Sequence, residues 1–301
     1  MEDEIDIKIE DTGAAWATSN GRFWVPTPIA NRLPCGVYSV AVSQRLGPYL
    51  DQVRVVKDDL VVLPGMGADV VLDEIEQFVQ RKDRYKARGV VHKRGIIMEG
   101  PPGSGKTSNT ELMIELFVNK FDGVVFLAQD PSAVALGIGL IRKREPERLI
   151  MVVIEDIDAV VRGGGEEHLL NLLDGKHQAD GVVVVATTNH LNKLPDRIAN
   201  RPSRFDLVVQ IGLPAAEARD AFLKAKEPQM SDAQRKAVVD ITDGYSIAHL
   251  KELMLLTEVY EMPLEAAHAR IKAIMERKLM PEQATLKAVK VPAAFSIQDA
   301  A

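Results

Sequence analysis

One cysteine, Cys35, occurs in 301 residues, so no intrachain disulfide can form and neither a Cys-rich zinc module nor an iron–sulfur site can be assembled. Histidine is scarce as well: there are six, none in a His-x-x-x-His pair, which leaves little basis for a dedicated metal cage. Positive charge is in deficit, with 37 Lys and Arg against 43 Asp and Glu for a net charge of -6. No global positive field therefore draws nucleic acid or an anionic membrane to the chain. The longest apolar runs, LIMVVI (149–154) and VVVVA (182–186), fall short of the roughly 20 residues that a membrane span needs. They read as buried strands of a parallel sheet. The N-terminal MEDEIDIKIED is acidic and has no apolar signal core, so a cytoplasmic location is expected. What is present is ordinary: 46% hydrophobic and 27% charged residues suit a globular chain with one large domain or two modest ones.

Punctuation and periodicity divide the chain into four parts. Residues 1–66 carry both tryptophans and short alternating runs between prolines and glycines, which predicts a small β-rich N-terminal domain. Residues 67–213 begin with a helix expected over 68–88. Apolar strands at 94–99, 123–128, 149–154, 182–187 and 207–211 then alternate with helices at 106–119, 132–144 and 166–173. This is the pattern of an α/β fold with a parallel sheet covered on both faces. Residues 214–278 read as helices only, and 279–301 as an Ala- and Lys-rich tail expected to be flexible.

Gly100-Pro101-Pro102-Gly103-Ser104-Gly105-Lys106-Thr107 fits the Walker A pattern, with RGIIME before it as a strand and a helical run from Ser108 after it. Glycines at these positions let backbone N–H groups turn around phosphate oxygens, and the following helix adds the positive end of its dipole. Lys106 is then the β/γ-phosphate contact and the Thr107 hydroxyl a Mg²⁺ ligand. The run MVVIEDIDAV (151–160) ends an apolar strand in the carboxylates Glu155 and Asp156. On a strand next to the phosphate loop this is the Walker B arrangement, one acid for Mg²⁺ and one for the attacking water.

GPPGSGKT, IEDIDAV, TTNH (187–190) and RPSRFD (201–206), in this order, resemble the AAA+ ATPases, in particular their AAA subgroup, over about residues 72–256. The Glu155-Asp156 order, LLNLLDG (169–175), and TTNH followed by Lys193-Leu194 resemble one branch: the translocase of the mitochondrial Rieske protein and its phage and bacterial relatives. The resemblance implies a P-loop αβα core with a helical lid, ATP and Mg²⁺ as cofactors, and a homo-oligomeric ring of six or seven subunits acting on a protein partner. It implies Asn189 as the sensor that orients the lytic water. Arg201 and Arg204 become fingers that reach a neighbour's γ-phosphate, and Gly244-Tyr245-Ser246 the lid segment near the adenine.

The departures limit what carries over. The family order is Asp-Glu; here Glu155 stands at the metal side and Asp156, one methylene shorter, at the base position, with Asp156 the favoured water activator. The segment AQDPSAVALGIGLI (128–141) has no aromatic, so steric gripping of a threaded peptide is not expected, and Gly163-Gly164-Gly165 reads first as a flexible connection. The basic run IRKREPER (141–148) reads first as a solvated helix end, and the cluster Lys86, Arg88, His92, Lys93 and Arg94 as an inter-subunit or nucleotide-edge feature. The 141–148 run leaves open a nucleic-acid machine of the same superfamily, which the acidic balance disfavours. A nucleotide-gated scaffold is the third reading. Trp16, Phe23 and Trp24 are either core of the N-terminal part or a binding patch.

Overall fold

The computed structural model describes residues 17–19, 22–24, 31–43, 47–53, 60–174, 180–199, 201 and 204–276. β1 (Ala17–Ser19) and β2 (Arg22–Trp24) pair antiparallel as a two-stranded sheet. β3 (Gly36–Ser43) and β4 (Gly47–Gln52) form an antiparallel hairpin, and β3 also pairs in parallel with the strand at 124–127, Val37 opposite Val125. That hairpin is the edge of the central sheet. Part of the segment 1–66, expected as a β-rich unit of its own, therefore completes the α/β core. Alternating residues show that a segment pairs, but its partner lies some ninety residues along the chain, where local pattern cannot see it.

The helix expected over 68–88 is two helices, α1 (Ala68–Gln80) and α2 (Lys82–Ala87), separated at Arg81. β5 (Lys93–Glu99) leads into the loop 100–105 and α3 (Lys106–Phe121). β6 (Val124–Leu127), α4 (Pro131–Arg144), β7 (Ile150–Ile154) and the short α5 (Ile157–Val160) follow. Beyond a π-type turn at Val161–Gly165 lie α6 (Glu166–Asp174), β8 (Val182–Thr188), α7 (Asp196–Ala199) and β9 (Leu207–Gln210). The sheet order is β4-β3-β6-β7-β8-β5-β9, parallel apart from the edge hairpin.

Both faces of this sheet are covered, as continuous apolar strands require. Met151, Val153, Val183, Val185, Ile96 and Met98 pack on one side with α1, α3 and the C-terminal helices. Ile150, Val152, Ile154, Val182, Val184 and Ile97 pack on the other with α4 and α6. The strict alternation is the two-residue period of a strand buried on both sides. One close approach depends on a missing side chain. A Cβ at Gly95 would lie 1.8 Å from the Arg204 carbonyl oxygen, so the 204–206 segment lies directly on β5, with the Asp206 N–H donating to the Gly95 carbonyl at 2.8 Å.

The C-terminal region is helical: α8 (Ala216–Lys226), α9 (Asp232–Ile241), α10 (Ile247–Met254) and α11 (Leu264–Met275). Ser231 and Ser246 cap α9 and α10 through reciprocal side-chain and backbone bonds, satisfying N–H groups that a helix start leaves open. Phe222, Leu223, Leu250, Leu253 and Ile271 join the same apolar cluster as Met66, Val71 and Ile211, so the helical region is packed onto the sheet domain rather than tethered beside it. The 279–301 tail lies outside the described residues.

Candidate active site

The strand carrying Glu155 is not adjacent to the strand before the phosphate loop, as its sequence position suggested. β8 lies between β5 and β7. The consequence is chemical: the C-terminal end of β8, with Thr187, Thr188 and Asn189, is inserted between the lysine and the acids. Switching the strand order at this point opens a crevice at the carboxyl ends of the strands, where ligands of open α/β sheets bind.

The loop between β5 and α3 bends at Gly103 and Gly105, whose φ angles of 74° and 99° lie where side chains are strained. At Gly103 a Cβ would also come within 2.8 Å of the Ser246 hydroxyl. Lys106, 7% exposed, folds back into this loop. Its ammonium donates to the Gly100 carbonyl at 2.7 Å, the Pro101 carbonyl at 3.0 Å and Asn189 Oδ1 at 2.7 Å. Burial pushes the Lys106 pKa down, and the carboxylates of Asp156 and Asp158 oppose that shift. Ser104 is fully buried and its hydroxyl has no protein partner.

Asp156 has a left-handed backbone (φ 47°, ψ 53°), unusual for a residue with a side chain and tolerated best by Asp and Asn. This sharp turn ends β7 and starts α5. Its N–H donates to Thr187 Oγ1 at 3.0 Å, and Asn189 Nδ2 reaches Asp156 Oδ1 at 3.5 Å. Asn189 thus bridges the buried cation to one carboxylate. Lys106, Thr107, Ser108, Glu155, Asp156, Thr187 and Asn189 line a cavity of about 400 Å³, closed on the helical side by Ile247, Ala248 and Lys251. A glycine cradle, a lysine, a hydroxyl and two exposed carboxylates at one cavity suit a nucleoside triphosphate with Mg²⁺. Thr107 and Glu155 or Asp156 are the oxygens available to the metal, which supplies positive charge between the phosphate oxygens when bound.

A second, more apolar cavity of about 340 Å³ shares Gly105, Ser108, Ile247 and Lys251 with the first. Leu60, Leu63, Met66, Phe222, Met254 and Leu255 line it. Asn109 fixes its wall: the Asn109 amide donates to the Met66 carbonyl at 2.8 Å, tying the 60–67 segment to α3. Sequence reading missed Thr187, Asn109, Ile247, Ala248 and Lys251. Only TTNH held a signal for Thr187, while the others depend on where the helical region docks.

The lid segment meets the phosphate loop through Ser246. Gly244, Tyr245 and Ser246 are not among the residues lining either cavity. Tyr245, 2% exposed, points into the helical region, its hydroxyl 2.9 Å from His268 Nδ1 and its ring stacked on that imidazole. Ser246 caps α10 and backs Gly103, and the Ala248 N–H meets the Gly103 carbonyl at 3.4 Å. Ser246 and Ala248 together make the contact with the loop.

Arg201 and Arg204 do not line the phosphate cavity. Arg204 is 4% exposed and its Nε donates to Asp174 Oδ2 at 2.5 Å; Arg201 reaches the same oxygen at 3.6 Å. Burial pushes the Asp174 pKa up, but the Arg204 hydrogen bond and the charges of Arg204, Arg201 and Lys93 outweigh it and hold the group below its ordinary value. One Arg204 terminal nitrogen, Nη1, is buried without a partner among the described residues.

Both basic runs are partly spent inside the molecule, and Lys86 and Arg88 stay exposed. Arg148 is buried against Asp122 and Glu145, and Arg142 donates to the carbonyls of Arg148 and Asp180 at 2.6 Å each, which leaves Lys143 and Arg144 exposed. His92 is buried and stacked on Phe78, with ring centroids 4.0 Å apart, and Arg94 pairs with Glu74 at 2.6 Å. The segment 128–141 is nearly all α4, capped by Asp130, with no loop of its own beyond the 129–130 turn. Trp16 lies outside the described residues, as do the side chains of Phe23 and Trp24.

Residues 96–213 match the family model for the ATPase family associated with various cellular activities (AAA). The chain is also similar to the ATP-dependent zinc metalloprotease FtsH of Marinobacter nauticus, 30% identical over 262 residues, covering 75% of this chain and 40% of that protein. FtsH 2 of Symbiobacterium thermophilum is 31% identical over 231 residues, 68% of this chain and 38% of that protein. The chain thus spans well under half the length of these relatives. Among the described residues no helix is long and apolar enough to cross a membrane, and no group of three His, Cys, Asp or Glu side chains is placed to hold a metal. Sequence match and cavity agree: residues 96–213 are an ATPase domain of the AAA family, built to hydrolyse ATP with Mg²⁺.

Proposed function

We propose that this protein is a ring-forming AAA+ ATPase that remodels or translocates a protein partner, with its arginine fingers acting between subunits. The observation that carries the reading is what surrounds the phosphate cavity. Its lining cations are Lys106 and Lys251, no arginine is among them, and both finger candidates are gathered on Asp174. Phosphoryl transfer spreads negative charge over the transferring group, and an arginine supplied by a second subunit is a recurrent way to stabilise it. A ring of six or seven copies would bring Arg201 and Arg204 to a neighbour's cavity.

Within one subunit the roles follow from contact. The backbone of 100–105 receives the phosphates and Lys106 trades its carbonyl partners for phosphate oxygens. Thr107 and Glu155 hold Mg²⁺, partly through water. Asp156 takes the proton of the attacking water, which Asn189 orients from its position between Lys106 and Asp156. The apolar cavity takes the adenine, between Met66 and α10. Because α10 meets both cavities and Gly103, loss of the γ-phosphate has a direct mechanical route into the helical region.

A protein as the object of this motion is supported by the similarity to enzymes named as ATP-dependent proteases. The Glu155-Asp156 order, LLNLLDG and the TTNH segment favour the branch of the Rieske-protein translocase. A nucleic-acid substrate is disfavoured by the net charge of -6 and by the internal use of Arg142 and Arg148. The test is ATP turnover together with oligomer mass, with and without nucleotide. Hydrolysis that rises with assembly supports the reading. Hydrolysis by a monomer at the same rate contradicts it, and assembly with ATP but no turnover indicates a scaffold.

A further inference from the structure

Asp158 is a third carboxylate after β7, and the roles above leave it unused. It is 4% exposed, and a carboxylate so buried is retained at a cost unless both oxygens are satisfied. Here they are satisfied by two different parts of the molecule. Thr188 Oγ1 donates to Asp158 Oδ1 at 2.9 Å, and an Arg162 terminal nitrogen donates to Oδ2 at 2.9 Å. Thr188 sits at the end of β8, immediately before Asn189. Its hydroxyl also accepts the His190 N–H at 3.0 Å, and its carbonyl accepts the Gly100 N–H at 3.2 Å. The hydroxyl's one donor and one acceptor direction in use are thereby fixed, and they clamp the backbone on both sides of Asn189. Arg162 belongs to the Val161–Gly165 turn, where Gly164 adopts φ 83° and neither Gly163 nor Gly164 has a neighbour that a Cβ would meet.

We propose that Asp158 is a positioning residue for hydrolysis, holding Thr188 so that Asn189 stays between Lys106 and Asp156, and that Arg162 ties this setting to the Gly163–Gly165 turn. Asp158 is not among the residues that line the phosphate cavity, although its charge reaches Lys106. It acts through the strand end, and misplacing an orienting group by a fraction of an ångström lowers turnover without changing what the site can bind. A partner pressing on the glycine turn would shift Arg162, relax Asp158 and alter the rate at Asn189. This inference rests on the hydrolytic role given to Asn189 above.

The test uses the full-length protein and MgATP, measuring kcat, nucleotide affinity and melting temperature side by side. Thr188→Val removes both hydroxyl bonds, the one to Asp158 and the one from the His190 N–H, and is expected to lower kcat about tenfold, with nucleotide affinity within about twofold of wild type. Thr188→Ser restores the hydroxyl and should restore kcat. Arg162→Ala and Asp158→Asn, which spare the Thr188 contact but break the link to the turn, should each cost about threefold in kcat. Wild-type kcat in Thr188→Val, or failure of Thr188→Ser to recover, overturns the proposal. So does a fall in kcat matched by an equal loss of affinity. Asn189→Ala separates this failure from that of the underlying reading. If it is crippled while Thr188→Val is normal, only the Asp158 inference falls; if Asn189→Ala is itself normal, the role given to Asn189 falls with it.

Discussion

Two buried cations of this protein are held in opposite ways. Lys106 is stored inside the loop it serves, on two carbonyls and Asn189, at the wall of the phosphate cavity. Arg204 is stored away from that cavity, on Asp174, in contact with β5 through its backbone. The first needs only a ligand to exchange its partners. The second is a buried guanidinium on a partly exposed carboxylate, and to act elsewhere it would exchange Asp174 for another negative group. The difference teaches where the subunit is complete and where, on the proposed reading, it is not: the phosphate cavity is lined within one chain, while Arg204 is held outside it on Asp174.

The largest effect expected concerns the reserve cation. Arg204→Lys keeps a positive charge for Asp174 but loses the planar fork, and turnover should fall on the order of 10³-fold, as for finger arginines generally, with nucleotide binding intact. Near-normal turnover with Lys would erase the distinction between the two cations. Next is Lys106→Ala, expected to reduce turnover by roughly 10²-fold and, unlike the Arg204 change, to weaken binding of the triphosphate more than that of the diphosphate. A fluorescent nucleotide titration reads this directly.

A smaller effect is expected in the apolar cavity. Ile247→Ala removes apolar surface shared by both cavities and should weaken nucleotide binding by about tenfold while kcat at saturation is retained. The smallest concerns Asp174. Its pKa is held below the ordinary value, so its ion pair contributes stability that is fully present above the unfolded carboxylate value of about 3.9 and lost as pH falls through the folded value. Thermal melts should therefore show wild type losing stability below about pH 4 more steeply than Asp174→Asn, and parallel curves would remove Asp174 as the holder of Arg204.

Much of this architecture was legible in the chain. Residues 182–186 of β8 and Ile150–Ile154 are continuous apolar runs, and such runs have one favourable place, the middle of a covered parallel sheet. The phosphate loop was legible because its chemistry is local: glycines, lysine and threonine act at fixed spacing on one turn. Relations across the fold were not. The pairing of Val37 with Val125, the insertion of β8 between β5 and β7, and the placing of Ile247 at both cavities are decided by packing between distant segments. Arg204 shows the limit best. Its sequence context resembles that of a finger, yet its burial against Asp174 depends on α6, thirty residues earlier, and on the absent side chain of Gly95.

The most direct measurement is complementation between two disabled subunits. Lys106→Ala lacks the cradle's lysine and Arg204→Ala lacks the reserve guanidinium, and each alone should hydrolyse ATP at a small fraction of the wild-type rate. Mixed and co-assembled, they should recover activity, because some junctions then join an intact cradle to a neighbour's intact arginine. A mixture no more active than its components, although shown to co-assemble, would contradict hydrolysis shared between subunits.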